Sequence, residues 1–272
     1  MTLELNRIYN MDCIEGLGKL VDESVDLTVT SPPYDDLRSY NGYSFDFESV
    51  SKELYRVTKD GGVVVWVVGD KTSKGSETGT SFKQALYFKE IGFNLYDTMI
   101  YLKQNPIPQN HRRYEQAFEY MFVFSKGRPK TFNALTTICK TSGKLYNYDS
   151  RSTATSLETK ASVRKRTEVC QTKPTKLKTN VWTYAIGNNK STCDKIAFGH
   201  PAIFPEKLAK DHILSWSNVG ETILDPFMGS GTTAKMSLLN KRNFIGFEVS
   251  EEYVKIANER LQQITESEGT VV

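Results

Sequence analysis

The run GVVVWVVG, residues 62 to 69, places apolar side chains at consecutive positions, so a strand built from it must be covered on both faces. A strand with one wet face would alternate in polarity. Three further runs share the pattern: VDLTVT (25 to 30), NLYDTMIYL (94 to 102) and FEYMFVF (118 to 124) are rich in β-branched and aromatic residues. Between strands, DFESVSKELYRVT (46 to 58) and SFKQALYFKEI (81 to 91) put apolar side chains at helical spacing, and DGG and IGF stop each one. Late in the chain ETILD, GTTAKMSLLN, RNFIGFE and SEEYVKIANERLQQI repeat the rhythm. Strands alternating with helices predict an α/β fold, an open and mostly parallel sheet with helices on both faces, whose ligands sit at the carboxyl ends of the strands.

At 272 residues and 39% hydrophobic content the chain can build one large core or two smaller ones. Its opening residues, MTLELNRIYNMDC, hold no basic stretch leading into an apolar one, and its longest apolar run, VVVWVV, is far too short for a bilayer. A soluble cytoplasmic protein without membrane association is expected. Cys13, Cys139, Cys170 and Cys193 form no C-x-x-C pair, and His111, His200 and His212 are the only histidines. Neither a metal site nor a disulfide framework is expected from these. Charge is distributed unevenly: from Lys126 to Lys195, 15 Lys or Arg stand against 4 Asp or Glu, and the rest of the chain holds 20 against 28. The same stretch is crowded with Ser, Thr and Asn and has little hydrophobic periodicity. Such a basic, loop-rich insertion suits phosphates, which are held by cations together with hydroxyl and amide donors. A solvated excursion is the plainer alternative.

Two motifs end strands in unusual corners. In ILDPFMGSGTTA, Gly229, Gly231 and Ala234 satisfy G-x-G-x-x-G/A, and Glu248 closes the next strand. Glycines let a ligand approach the backbone, a helix N-terminus offers free N–H groups, and an acid on the second strand can grip a ribose diol. An adenine nucleotide or nucleoside is expected. GSGTT lacks the lysine of an ATP phosphate loop, whereas Asp225, Pro226 and Phe227 supply a carboxylate and an aromatic face suited to a cationic nucleoside better than to a pyrophosphate. The other motif, TSPPY at Thr30 to Tyr34, sets two prolines directly after a buried strand.

TSPPY and DPFMGSGTT together resemble the S-adenosylmethionine-dependent DNA amino-methyltransferases, specifically the beta group, in which the catalytic motif precedes the cofactor motif. NMDCIEGLGKL, EYMFVFSKG, HPAIFPEKL and FIGFEVSEEY add weaker matches in the order that group shows. The resemblance implies a Rossmann-like methyltransferase sheet in permuted order, with residues 1–126 as the catalytic half, 127–195 as a target-recognition insertion and 196–272 as the cofactor-binding half. It also implies S-adenosyl-L-methionine as cofactor, with Glu248 on the ribose hydroxyls and Asp225, Pro226, Phe227, Gly229, Ser230, Gly231 and Thr232 around the methionine and sugar. Asp12 is implied near the adenosine, and Phe204 over the methionyl part.

The proline corner then has a chemical purpose. A base amine is a poor nucleophile because its lone pair is delocalised into the ring, and rigidly placed acceptors favour a more tetrahedral nitrogen. The Pro32 carbonyl and the Ser31 hydroxyl can accept its two N–H bonds, Pro33 stiffens the turn, and Tyr34 stacks on a base turned out of the duplex. Methylation at cytosine carbon 5 needs a cysteine nucleophile, carried by that family in a Pro-Cys step, and no cysteine here follows a proline. In the resembled family a serine at the position of Ser31 usually accompanies cytosine N4. The expected function is therefore site-specific N4 methylation of flipped cytosine in double-stranded DNA, with adenine N6 as the alternative and an RNA or protein-amide acceptor as a further one. A non-enzymatic nucleic-acid-binding protein on a decayed scaffold is disfavoured because both motifs are intact. Arg112, Arg113, Arg164, Lys165, Arg166, Lys173, Lys176 and Lys178 are the expected DNA contacts. A companion restriction endonuclease and a monomeric or homodimeric state complete the expectation.

Overall fold

In this computed structural model the described residues are 3–33, 46–106, 112–149, 167–187, 189–200 and 202–269. Tyr34, Arg164, Lys165 and Arg166 lie outside them. Eight strands form the main sheet: β1 (Arg7–Asn10), β2 (Val25–Thr30), β3 (Thr58–Val68), β4 (Asn94–Lys103), β5 (Phe118–Ser125), β6 (Val181–Tyr184), β7 (Thr222–Asp225) and β8 (Asn243–Glu248). Their order across the sheet is β1-β8-β7-β2-β3-β5-β4-β6. All run parallel except β5, which is antiparallel to both neighbours.

Among the described residues six α-helices accompany the sheet: α1 (Cys13–Gly18), α2 (Phe47–Val57), α3 (Thr80–Glu90), α4 (Glu206–Trp216), α5 (Thr232–Leu239) and α6 (Glu251–Gly269). α2 packs against both α1 and α3, and α5 against both α4 and α6, as expected for two layers on a doubly covered sheet. α2 shows why the local sequence folds this way. The Asp46 carboxylate caps its first turn, accepting from Glu48 N at 3.1 Å and Ser49 N at 3.2 Å, and Val50, Leu54 and Val57 recur on one face and are fully buried. Under that face lies an aromatic cluster centred on Trp66 of β3, whose ring meets Phe88 at 5.2 Å and Phe47 at 6.0 Å in edge contacts. The Trp66 indole donates to Gln84 Oε1 at 2.9 Å, so even its one polar atom is satisfied.

Contact clustering separates two units: residues up to Asn133 and from Asn180 onward form one, and Ala134–Thr179 the other. The second unit contains two short antiparallel ribbons, 136–138 with 175–177 and 145–149 with 167–171. The expected insertion ran to residue 195, yet Val181–Tyr184 pairs with β4 as an edge strand of the main sheet. The reason lies in its alternation: Trp182 and Tyr184 are buried, Trp182 against the His212 ring at 4.8 Å and Tyr184 donating to Asp211 Oδ2 at 2.9 Å. Four residues amid Ser, Thr and Asn give too short a signal to read from sequence. Both exits of the first unit are anchored within it. The Asn133 side chain donates to the carbonyls of Leu214 at 3.2 Å and Ser217 at 3.1 Å, and Asn180 donates to Asp97 at 3.2 Å. Among the described residues, no helix is long and apolar enough to cross a membrane.

Trp66→Ala removes the centre of the aromatic cluster and leaves the Gln84 amide without its donor. It should lower unfolding free energy by about 3–5 kcal/mol in urea denaturation; a loss below about 1 kcal/mol would show that the cluster is not the core.

Candidate active site

Chain order reverses between β7 and β2: from β2 the chain moves to β3 on one side, and from β7 to β8 on the other. At such a point the two crossover connections diverge and leave a crevice above the carboxyl ends. β2 and β7 pair in parallel, Ile223 opposite Leu27 and Leu224 opposite Thr28, so they end at the same edge. There the two motifs meet. Thr30 Oγ1 donates to Asp225 Oδ1 at 2.6 Å in a fully buried contact between residues 195 positions apart. Ser31, Pro32 and Pro33 follow Thr30 directly, with Pro32 buried and its neighbours half-buried. The Phe227 ring stands 6.2 Å from Trp66, edge-on, and so packs against the aromatic cluster of the core.

After Asp225 the chain turns tightly. Phe227 N donates to Asp225 Oδ1 at 3.0 Å, and Gly231 N to the Met228 carbonyl at 2.9 Å. Gly229 and Gly231 adopt φ of +50° and +80°, in the left-handed region that favours glycine. Space imposes the same requirement: a Cβ on Gly229 would lie 2.9 Å from His200 Nε2, and one on Gly231 2.7 Å from Ala257 Cβ. Gly231 leads into α5 without a side-chain cap, and α5 begins just beyond the carboxyl end of β7. Glu248, at the end of β8, spans this turn: Oε2 accepts from Gly229 N at 2.8 Å and Oε1 from Ser250 N at 2.9 Å. Asn10 of β1 pairs in register with Glu248, which brings Asp12 to the same edge. There Asp12 also caps α1, accepting from Ile14 N at 2.8 Å.

Electrostatics follow from burial. Desolvation drives the Asp225 carboxyl from its ordinary 3.8 up to about 6, against the opposing Thr30 hydrogen bond. Desolvation raises Glu248 as well. Two acids whose ionised forms are disfavoured by burial, beside an aromatic ring and a glycine cradle, favour a ligand that brings positive charge.

Other expected residues are placed less tightly. Phe204 is half-buried in the loop ahead of α4. Arg112 is exposed, and Arg113 donates to the Gly75 carbonyl and lies 3.9 Å from Glu77. Lys173 and Lys176 are exposed in the second unit, where Lys178 is half-buried. Sequence reasoning missed an ion quartet behind the glycine turn, built on the buried Arg260 with three half-buried partners. Arg260 of α6 donates to Asp194 Oδ2 at 2.8 Å and to Glu206 Oε1 at 2.8 Å, and Lys235 of α5 donates to the same two oxygens at 2.6 and 2.8 Å. Burial pulls the Asp194 carboxyl upward, but the Lys235 and Arg260 hydrogen bonds outweigh it and hold the group below its usual range. The periodic pattern of α6 places Arg260 on the inward face; that was the available signal.

With this geometry in view, comparison with known proteins is direct. The family model N6_N4_Mtase, described as DNA methylase, matches residues 25–259. The chain is 60% identical over 241 residues to the orphan methyltransferase M.BamHII of Bacillus amyloliquefaciens, covering 89% of this chain and 90% of that one. It is 24% identical to the type II methyltransferase M.MthZI of Methanothermobacter thermautotrophicus, covering 98% of this chain and 79% of the relative. Among solved structures it resembles the PvuII DNA methyltransferase (cytosine-N4-specific), with a TM-score of 0.66, 22% identity and coverage of 97% and 92%. It also resembles M1.HpyAVI in complex with SAM, with a TM-score of 0.61, 25% identity and coverage of 94% and 98%.

Because Asp225 titrates higher when folded, the native state holds more protons than the unfolded chain between pH 3.8 and about 6. Its contribution to stability is therefore present at low pH and lost as pH rises through that window, a change on the order of 3 kcal/mol. Asp225→Asn keeps the acceptor for Thr30 and Phe227 without the charge. In urea titrations it should flatten this fall and raise the midpoint at pH 7; a lowered midpoint at pH 7 with an unchanged pH profile would refute the assignment.

Proposed function

We propose that this chain, which belongs to the N6/N4 DNA methylase family, transfers a methyl group from S-adenosylmethionine to the N4 amine of a cytosine turned out of double-stranded DNA. The observation that supports it most is the Thr30–Asp225 hydrogen bond, which joins the proline corner to the glycine turn within one crevice. S-adenosylmethionine is the cofactor, and the residues present fit it: the two glycine positions that a Cβ would fill, the carboxylates of Asp225 and Glu248, and the Phe227 face. Glu248 would hold the ribose hydroxyls, with Ser230, Thr232 and Asp12 as nearby polar partners. Asp225, Pro226 and Phe227 would line the methionyl side, and Phe204 would cover it. When bound, the cofactor supplies an electrophilic methyl on its sulfonium.

The remaining work falls to the protein. Ser31 Oγ and the Pro32 carbonyl would accept the two N–H bonds of the amine and turn its lone pair toward the methyl. Pro32 and Pro33 restrict the backbone, so the acceptors need no reorganisation during the step. Tyr34, outside the described residues, would stack on the extruded base. The choice of cytosine N4 rests on Ser31, and adenine N6 is the outcome that would displace it. Lys173, Lys176 and Lys178, with Arg112, Arg113 and Arg164 to Arg166, would meet the phosphate backbone. The relative named an orphan methyltransferase supports a modification activity that stands alone, and the type II name of the other supports one with a companion nuclease. We adopt the former.

Digestion of duplex DNA after incubation with labelled S-adenosylmethionine should yield N4-methylcytosine; label in N6-methyladenine, RNA or protein would select the corresponding alternative. Ser31→Ala should retain cofactor affinity while turnover falls at least about a hundredfold; equal turnover would remove Ser31 from the mechanism. Exchanging Lys173, Lys176 and Lys178 together for Gln should weaken DNA binding across sequences and reduce the slope of log affinity against log salt by about one per lost phosphate contact. An unchanged slope would remove these lysines from the interface.

A further inference from the structure

Arg260 is 1% exposed, and its ion pairs account for only part of its hydrogen-bonding capacity. Nη1 is directed at the glycine turn: it donates to the Ser230 carbonyl at 2.5 Å, to Ser230 Oγ at 3.2 Å and to Thr232 Oγ1 at 3.2 Å. The turn needs such a restraint. Ser230 is flanked by two glycines, the residues with most backbone freedom to lose, and the peptide between Ser230 and Gly231 is fixed at one end by Gly231 N on the Met228 carbonyl. Arg260 fixes the other end.

The same guanidinium also reaches the segment that carries Phe204. Asp194 and Glu206 bracket that segment, and Glu206 Oε1 gathers Arg260, Lys235 at 2.8 Å and Thr192 Oγ1 at 2.6 Å. Two cations and two carboxylates leave the cluster neutral, so the buried Arg260 guanidinium is compensated by its half-buried partners. Lysine cannot replace this arrangement. Its three protons share one atom, whereas the planar fork spans two carboxylates and the turn at once.

We propose that Arg260 is a positioning residue for the cofactor pocket, holding the Gly229–Gly231 turn and the Phe204 segment at a fixed separation. This rests on the assignment of that turn to S-adenosylmethionine.

The test measures S-adenosylmethionine dissociation constants by calorimetry, and thermal midpoints without cofactor, for four full-length proteins. Arg260→Lys should raise the dissociation constant about tenfold, and raise KM for the cofactor with KM for DNA unchanged. Arg242→Lys is the stability control. Arg242 is also buried, but its guanidinium holds the Ser217 and Asn240 carbonyls at the opposite end of β8; its variant should lower the midpoint and leave cofactor affinity alone. Phe227→Ala is the reference for the pocket itself. If Phe227→Ala weakens binding and Arg260→Lys does not, the clamp is refuted and the pocket stands. If neither does, the pocket assignment fails and the clamp falls with it. A loss of affinity in Arg242→Lys equal to that in Arg260→Lys would make the effect one of stability and overturn the proposal. Should Arg260→Lys prove insoluble, Asp194→Asn loosens the Nε anchor without touching a pocket group and should weaken binding about threefold; unchanged affinity there would refute the clamp.

Discussion

A hydroxyl and a carboxylate meeting at the floor of a crevice hold this molecule's chemistry together. Thr30 ends the strand that delivers the proline corner, and Asp225 ends the strand that delivers the glycine turn. The parallel pairing of β2 and β7 makes the meeting unavoidable, because both strands finish at the same edge and their crossovers depart in opposite directions. Asp225 is thereby removed from water, which raises its pKa, and remains oriented by Thr30 and by the Phe227 amide. The cost of burying this acid is offset by hydrogen bonds from the Thr30 and Thr233 side chains and the Phe227 amide.

Much of this was legible from the residues. The continuous apolar runs announced doubly covered strands, and the expected β2, β4 and β5 match the observed ones to within a residue. β3 begins earlier than expected, at Thr58 instead of residue 62, because α2 passes into the strand without a loop. Gly229 and Gly231 declared themselves through spacing, and both adopt positive φ. What could not be read is tertiary by nature. The Val181–Tyr184 strand is four residues long and gains its identity from β4 beside it. The ion quartet joins positions 194, 206, 235 and 260, which no local window contains. Asp12 serves as a helix cap whatever else it contacts, so its local role masks any other.

Charge and structure divide the chain along related lines. The basic excess falls mainly on a unit of short ribbons in which Ile138 and Leu145 are exposed, while the buried acids Asp225 and Glu248 lie at strand ends of the larger unit. A two-stranded ribbon is marginal alone in water, so this unit has little core of its own to defend. The larger unit, with Trp66 and the two helix layers, holds the packed core from which the proline corner and the glycine turn emerge.

The anchoring of Asn133 and Asn180 has a consequence for the history of such chains. Both residues belong to the larger unit and are moored to its own backbone and side-chain groups, so what lies between them can lengthen, shrink or be replaced without loosening the sheet at either junction. A segment whose two junctions are secured in this way has the architecture of an exchangeable cassette.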